Sequence, residues 1–141
     1  MAFTRTCALP DIELSGANGA RVNPSDFAGH ELIVLFCPNK LLDATQELTE
    51  FNALSDALAF NDAYMIAICD PKAGSPASRV TLASDPEGFA WNLLAECLSQ
   101  QERAEADKGA VFLMGRGGCL KRSWHGAGHA QSVRQALGER M

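Results

Sequence analysis

The sequence predicts an α/β fold in which a central mixed β-sheet carries helices on both faces, with a β-hairpin at its N-terminal end. Three observations carry this. Residues 31–37 and 63–69 are nearly continuous apolar runs, as expected for parallel strands buried on both faces. Between them Leu48, Phe51, Leu54 and Leu58 recur at steps of three and four, the period of an amphipathic helix. Strand, helix and strand at this spacing make a right-handed βαβ unit with two adjacent parallel strands. Near the C-terminus, residues 110–114 and 119–124 flank a glycine-rich turn and read as an antiparallel hairpin.

The elements follow in order. Two short extended pieces from Ile12 to Val22 flank Gly16-Ala17-Asn18-Gly19, and Asn18-Gly19 supplies the positive φ values of a tight hairpin. Asn23-Pro24 breaks the chain before the first buried strand, and Pro38 ends that strand. Asp43, with Gln46 three residues on, resembles a capping box, which places a helix from about residue 44 to 60. Asp70-Pro71 closes the second strand, and residues 72–78 are a loop. Residues 80–83 form a short strand. Ser84-Asp85-Pro86-Glu87 then starts a helix whose buried stripe is Phe89, Leu93 and Cys97, with Leu94 and Leu98 beside them. Residues 100–108 are a charged, solvated segment. After the terminal hairpin and a loop at 125–128, Val133 and Leu137 place a closing helix. A βαβ unit followed by ββα is the thioredoxin arrangement.

Composition limits what such a chain does. Its 141 residues form one domain, 1–141, with 47% apolar and 21% charged residues. Seventeen acidic against twelve basic residues give a net charge of −5 with no basic block, which argues against nucleic acid as a partner. No apolar run approaches the roughly 20 residues of a membrane span, and residues 1–10 do not read as a signal peptide. The expected setting is cytoplasmic. Five scattered cysteines, with no pair at CxxC spacing, do not make a disulfide scaffold or a zinc ribbon, and most are expected to be small buried hydrophobes.

The order of several short motifs resembles the peroxiredoxin family, the alkyl hydroperoxide reductase and thiol-specific antioxidant group. These are Leu9-Pro10-Asp11-Ile12-Glu13-Leu14 before Asn18-Gly19, then Phe27-Ala28-Gly29, Phe36-Cys37-Pro38, Ile68-Cys69-Asp70, Ser84-Asp85-Pro86-Glu87-Gly88, and Phe112-Leu113-Met114 before a Gly-rich turn. The resemblance covers nearly the whole chain and implies antioxidant peroxidase chemistry. That chemistry rests on a Pro-x-x-x-Thr/Ser-x-x-Cys motif, with a thiolate at a helix N-terminus, and on an arginine. Counting from Pro38, the hydroxyl position falls on Leu42, the cysteine position on Thr45 and the arginine position on Gly109, with Lys108 next door. Only Pro38 matches. A threonine hydroxyl stays protonated at neutral pH and forms no sulfenic acid, so turnover through position 45 is excluded. No cysteine lies between Cys37 and Cys69 to take its place.

Other residues are candidates for chemistry. Cys37 and Cys69 each end one of two neighbouring parallel strands, roughly 4.8 Å apart, at the edge where open α/β sheets hold ligands. They form either a redox-active dithiol or two core thiols pointing to different faces. Cys119 follows a glycine turn and is a possible exposed thiol. Gly115-x-Gly117-Gly118 reads as a hairpin turn, not a dinucleotide loop, because no helix follows. His125 and His129 have metal-ligand spacing, but the adjoining glycines argue for a loop, so no metal and no other cofactor is expected. Trp91 and Trp124 read as core or interface residues, and Glu47 and Glu50 as surface acids. The function expected first is a non-peroxidase binding or accessory protein, forming a homodimer. The alternative is a divergent thiol oxidoreductase or peroxidase using Cys37, with Cys69 as resolving partner, acting on a small-molecule or protein thiol partner. A third reading is an apolar-ligand binder at a cleft around Pro38, Leu42 and Thr45.

Overall fold

The computed structural model describes residues 11–16, 19–85 and 87–138. Seven strands form one mixed sheet: β1 (Leu14–Gly16), β2 (Arg21–Val22), β3 (Glu31–Phe36), β4 (Ala63–Ile68), β5 (Val80–Ser84), β6 (Ala110–Met114) and β7 (Leu120–His125). Their order across the sheet is β2-β1-β5-β4-β3-β6-β7. The expected hairpins and βαβ unit are present: β1 pairs antiparallel with β2, β6 with β7, and β3 runs parallel to β4 from Glu31 opposite Ala63 to Phe36 opposite Ile68. Ala17 and Asn18 of the first turn, Cys7, Pro86 and the Leu9-Pro10 end of the first motif lie outside the described residues.

The central strand β3 is buried at every position because both of its faces are covered. Ile33 and Leu35 face the core under α1 (Leu41–Asn52), α2 (Ser55–Phe60) and α5 (Ala130–Ala136). Leu32, Val34 and Phe36 face the opposite core, which holds Ala90 and Leu94 of α3 (Phe89–Ala95). Leu48, Phe51, Leu54 and Leu58 are almost fully buried, as the helical spacing predicts. Each contributes about 1.5–3 kcal/mol of burial.

Several boundaries differ from expectation, each for a local reason. The helix expected over 44–60 starts at Leu41 and breaks at Ala53–Leu54 into α1 and α2. No side chain caps its start, so the Asp43/Gln46 capping box does not form. At the break, the Asn52 amide donates to the Ser75 carbonyl and accepts from the Ala77 N–H, so the residue ending α1 ties down the 72–78 loop. The next helix, α3, begins after Gly88 rather than at Ser84, because Gly88 takes the left-handed conformation and the Asp85 carboxylate accepts from the Ala90 and Trp91 N–H groups. This turns the helix so that Ala90, Leu94 and Ala95 are buried, while Phe89 and Leu93 of the expected stripe are exposed. The charged segment contains a short helix, α4 (Gln100–Ala104), held by a Ser99/Glu102 capping box.

Candidate functional site

At the carboxyl edge of the sheet the chain leaves β3 and β4 side by side. Cys37 and Cys69 each follow their strand by one residue, continuing the register that pairs Phe36 with Ile68. The Cys37 N–H donates to the Ile68 carbonyl (3.1 Å) and the Cys69 N–H to the Ala83 carbonyl (3.3 Å), so backbone bonds fix both residues. Side chains alternate along a strand, and both thiols fall on the face of Ile33, Leu35, Met65 and Ala67. The two sulfurs therefore do not point to different faces. Each cysteine is 8% exposed, at the floor of a cleft of about 440 Å³ lined also by Pro38, Ile68, Asp70, Ser84 and Asp85.

The electrostatics of the pair are unequal. A hydrogen bond with Cys69, followed by burial, pushes the Cys37 thiol well above its usual range. The same bond is the largest influence on Cys69 and holds it below its usual value; burial and the Asp70 charge oppose this, while the Asp70 backbone N–H assists. The two directions make Cys69 the easier of the two to ionise. Both cysteines are free thiols. Their placement allows a dithiol to become a disulfide, which requires Cα atoms within about 4.4–6.8 Å.

The positions matched to the peroxidase motif hold neither its thiol nor its arginine. Thr45 is the fifth residue of α1, and its hydroxyl donates to the Leu41 carbonyl at 2.9 Å. Leu42 is 84% exposed. Gly109 adopts φ +85°, and a Cβ there would lie 2.5 Å from the Phe36 carbonyl oxygen, so no arginine fits. Lys108 pairs with Glu105. The second cleft beside Pro38, of about 560 Å³, is lined by Asp43, Gln46, Glu47, Glu50 and Lys108, among others, rather than by Leu42 and Thr45. Although several of these side chains are charged, most of the surface that lines the cleft is apolar.

Glu47 overturns its reading as a surface acid. It is 2% exposed; its Oε1 accepts from the Gly128 N–H at 3.1 Å, and its Oε2 is buried without a partner. Burial raises its pKa, partly offset by the Gly128 bond, and its charge reaches both Cys37 and Cys69. Glu31, the other buried carboxylate among the described residues, is by contrast paired with Lys121 Nζ at 2.8 Å and with the Gly138 N–H. Helical spacing finds Glu47: it lies three residues after Ala44 and four before Phe51, on the buried face.

The remaining residues stand apart from this edge. Cys119 is exposed in the β6–β7 turn. His125 ends β7 and His129 precedes α5; His129 Nε2 lies 2.8 Å from the His125 carbonyl, and among the described residues no group of three His, Cys, Asp or Glu side chains is placed to hold a metal. Cys97 is disulfide-bonded, contrary to its expected role as a plain buried thiol. Trp91 packs edge-on against Phe36, at 5.1 Å between ring centres. Among the described residues no helix is long and apolar enough to cross a membrane.

This architecture defines a thioredoxin-like α/β protein with a vicinal dithiol at the sheet edge. No protein-family model matches the chain, and no curated protein does. Solved structures do. The chain is similar to the bacterioferritin comigratory protein of Xanthomonas campestris, at 22% identity over 90% of each chain with a TM-score of 0.70. It is similar to AhpC of Enterococcus faecalis, at 16% identity over 94% of this chain and 89% of that one, TM-score 0.71. A Chlorobium tepidum protein assigned as the thiol:disulfide interchange protein DsbE matches at 22% identity over 97% of this chain and 100% of that one, TM-score 0.67. The fold is accordingly peroxiredoxin-like within the thioredoxin-like class.

Proposed function

We propose that this protein is a thiol–disulfide redox protein on a peroxiredoxin-like scaffold, with Cys37 and Cys69 as its redox pair and no peroxide reduction through position 45. The observation that carries it is the pair itself: two free thiols on one face of adjacent strands, lining one cleft. The Cys69 thiolate attacks one sulfur of a substrate disulfide, giving a mixed disulfide and releasing the first substrate thiolate, which takes a proton. Cys37 then loses its proton and attacks the Cys69 sulfur, releasing the second thiolate. Two electrons leave the protein and reduce one substrate disulfide to two thiols. Cys69 is the attacking member because its charge is stabilised, which reverses the roles expected from the sequence.

The cleft volume lies within the range of small-molecule sites and suits a small disulfide or a peptide strand bearing one. Of the similar proteins, the Xanthomonas protein has alkyl peroxide reduction activity and the Chlorobium protein is assigned to thiol:disulfide interchange. The second chemistry is the one a dithiol performs without a motif cysteine.

The test is catalysis of insulin disulfide reduction by dithiothreitol. The wild type should accelerate it, and Cys69→Ser and Cys37→Ser should each return the rate to background, while Thr45→Val leaves it unchanged. A rate insensitive to both serine variants contradicts the proposal. The reading as a binding or accessory homodimer is second, favoured by the exposed Leu42 and by Phe60, which is 90% exposed.

A further inference from the structure

We infer that the substrate of the Cys37–Cys69 pair is a small disulfide carrying positive charge beside its sulfur atoms. The inference deepens the dithiol reading and rests on it. The 440 Å³ cleft that both cysteines line has two carboxylates in its walls, Asp70 and Asp85, and no basic side chain among its lining residues. Asp70 follows Cys69 directly, and Asp85 follows the last residue of β5. Backbone amides, not cations, hold both acids in place. Asp70 accepts from the Lys72 N–H at 2.9 Å, and Asp85 from the Ala90 N–H at 3.3 Å and the Trp91 N–H at 3.0 Å. Among the described residues neither carboxylate enters a salt bridge. Their negative charge therefore stands uncompensated at the cleft that holds the thiols.

Exchange brings an anionic sulfur onto the substrate disulfide, so an anionic substrate is repelled at the step that forms the new bond. The two carboxylates extend that repulsion over the approach. A cleft lined by one sign of charge concentrates ligands of the opposite sign and speeds their association. The reaction balances without the acids. The Cys37 and Cys69 thiols give up two protons and two electrons as their disulfide forms, and the substrate S–S bond takes both to become two thiols. The preference is one of rate, because the equilibrium with any disulfide remains set by the two redox potentials. Asparagine separates charge from hydrogen bonding at these positions: its amide oxygen still accepts from the N–H groups that shape the turn and α3, while the negative charge is gone.

The experiment mixes the reduced full chain with cystamine, hydroxyethyl disulfide or dithiodipropionate, which are cationic, neutral and anionic. Formation of the Cys37–Cys69 disulfide is followed by acid quench, alkylation and peptide mapping. Each rate is divided by that of dithiothreitol with the same disulfide, which removes the substrate's intrinsic reactivity. At low salt the normalised rate for cystamine should exceed that for dithiodipropionate about tenfold, with hydroxyethyl disulfide between them. The ratio should fall several-fold in Asp70→Asn and in Asp85→Asn, and furthest in the double variant. Each ratio compares two substrates of one protein, so altered thiol reactivity in a variant cancels. Raising the salt to about 0.5 M should shrink the wild-type ratio as well, a readout that needs no variant to fold. A wild-type ratio near one, or one that survives both salt and the double substitution, overturns the inference and leaves the dithiol reading intact. Failure of the pair to react with any of the three disulfides would sink both.

Discussion

Phe36 and Gly109 meet so closely that position 109 has room only for hydrogen: a Cβ there would lie 2.5 Å from the Phe36 carbonyl oxygen, and the glycine has φ +85°. This contact closes the place where the peroxiredoxin resemblance puts an arginine, and it sits directly beneath Pro38, whose ring lies 3.3 Å from the same Cβ position. The substitution at 109 is thus built into the backbone of the site. Gly109→Ala should lower stability by at least about 2 kcal/mol in urea unfolding, combining left-handed strain with a backbone clash. A change within about 0.5 kcal/mol would contradict this packing.

Thr45→Cys should not restore a peroxidase. Position 45 is the fifth residue of α1, past the first turn, where the helix dipole has faded, and its side chain bonds back to the Leu41 carbonyl. The new thiol should titrate near the ordinary value of about 8.5 in pH-dependent alkylation. A strongly acidic thiol there would mean that the helix begins later than Leu41.

Removing either cysteine should move the other toward its ordinary value. In Cys37→Ala, Cys69 loses the hydrogen bond that is the largest cause of its lowered pKa, so its alkylation should shift to higher pH. In Cys69→Ala, Cys37 should become easier to ionise. Mass-spectrometric mapping of limited alkylation in the wild type should find Cys69 modified before Cys37. The reverse order would contradict the assignment of the thiolate.

Glu47→Gln should stabilise the folded state at neutral pH. The folded-state pKa of Glu47 is raised, so the stability it contributes is present below its unfolded value and is lost as pH climbs through the folded value. The variant lacks that loss. Its advantage over the wild type should grow with pH above the usual glutamate range and level off at about 1–3 kcal/mol. Unfolding curves of the two proteins at about pH 4 and about pH 8 check it. A difference that does not change with pH would show the carboxyl to be neutral or solvated throughout.

Much of this edge was legible in the residues. The apolar runs ending at Cys37 and Cys69 announced two buried parallel strands, and their common length put the cysteines in register. Whether both thiols share a face depends on strand pairing, which composition does not encode. The charge of Glu47 argues for the surface, although its place between Ala44 and Phe51 marks the buried side of the helix. The start of α3 differs from expectation because Ser84 and Asp85 make a good cap in isolation. Asp85 does cap that helix, but across a turn that only Gly88 permits.

The most direct test of the central claim is peptide mapping of the wild-type protein after exposure to oxidised glutathione, with free thiols blocked before digestion. The account predicts a Cys37–Cys69 disulfide that forms reversibly and is absent from either serine variant. Recovery of both cysteines as blocked, reduced thiols, under conditions that oxidise the exposed Cys119, would contradict it.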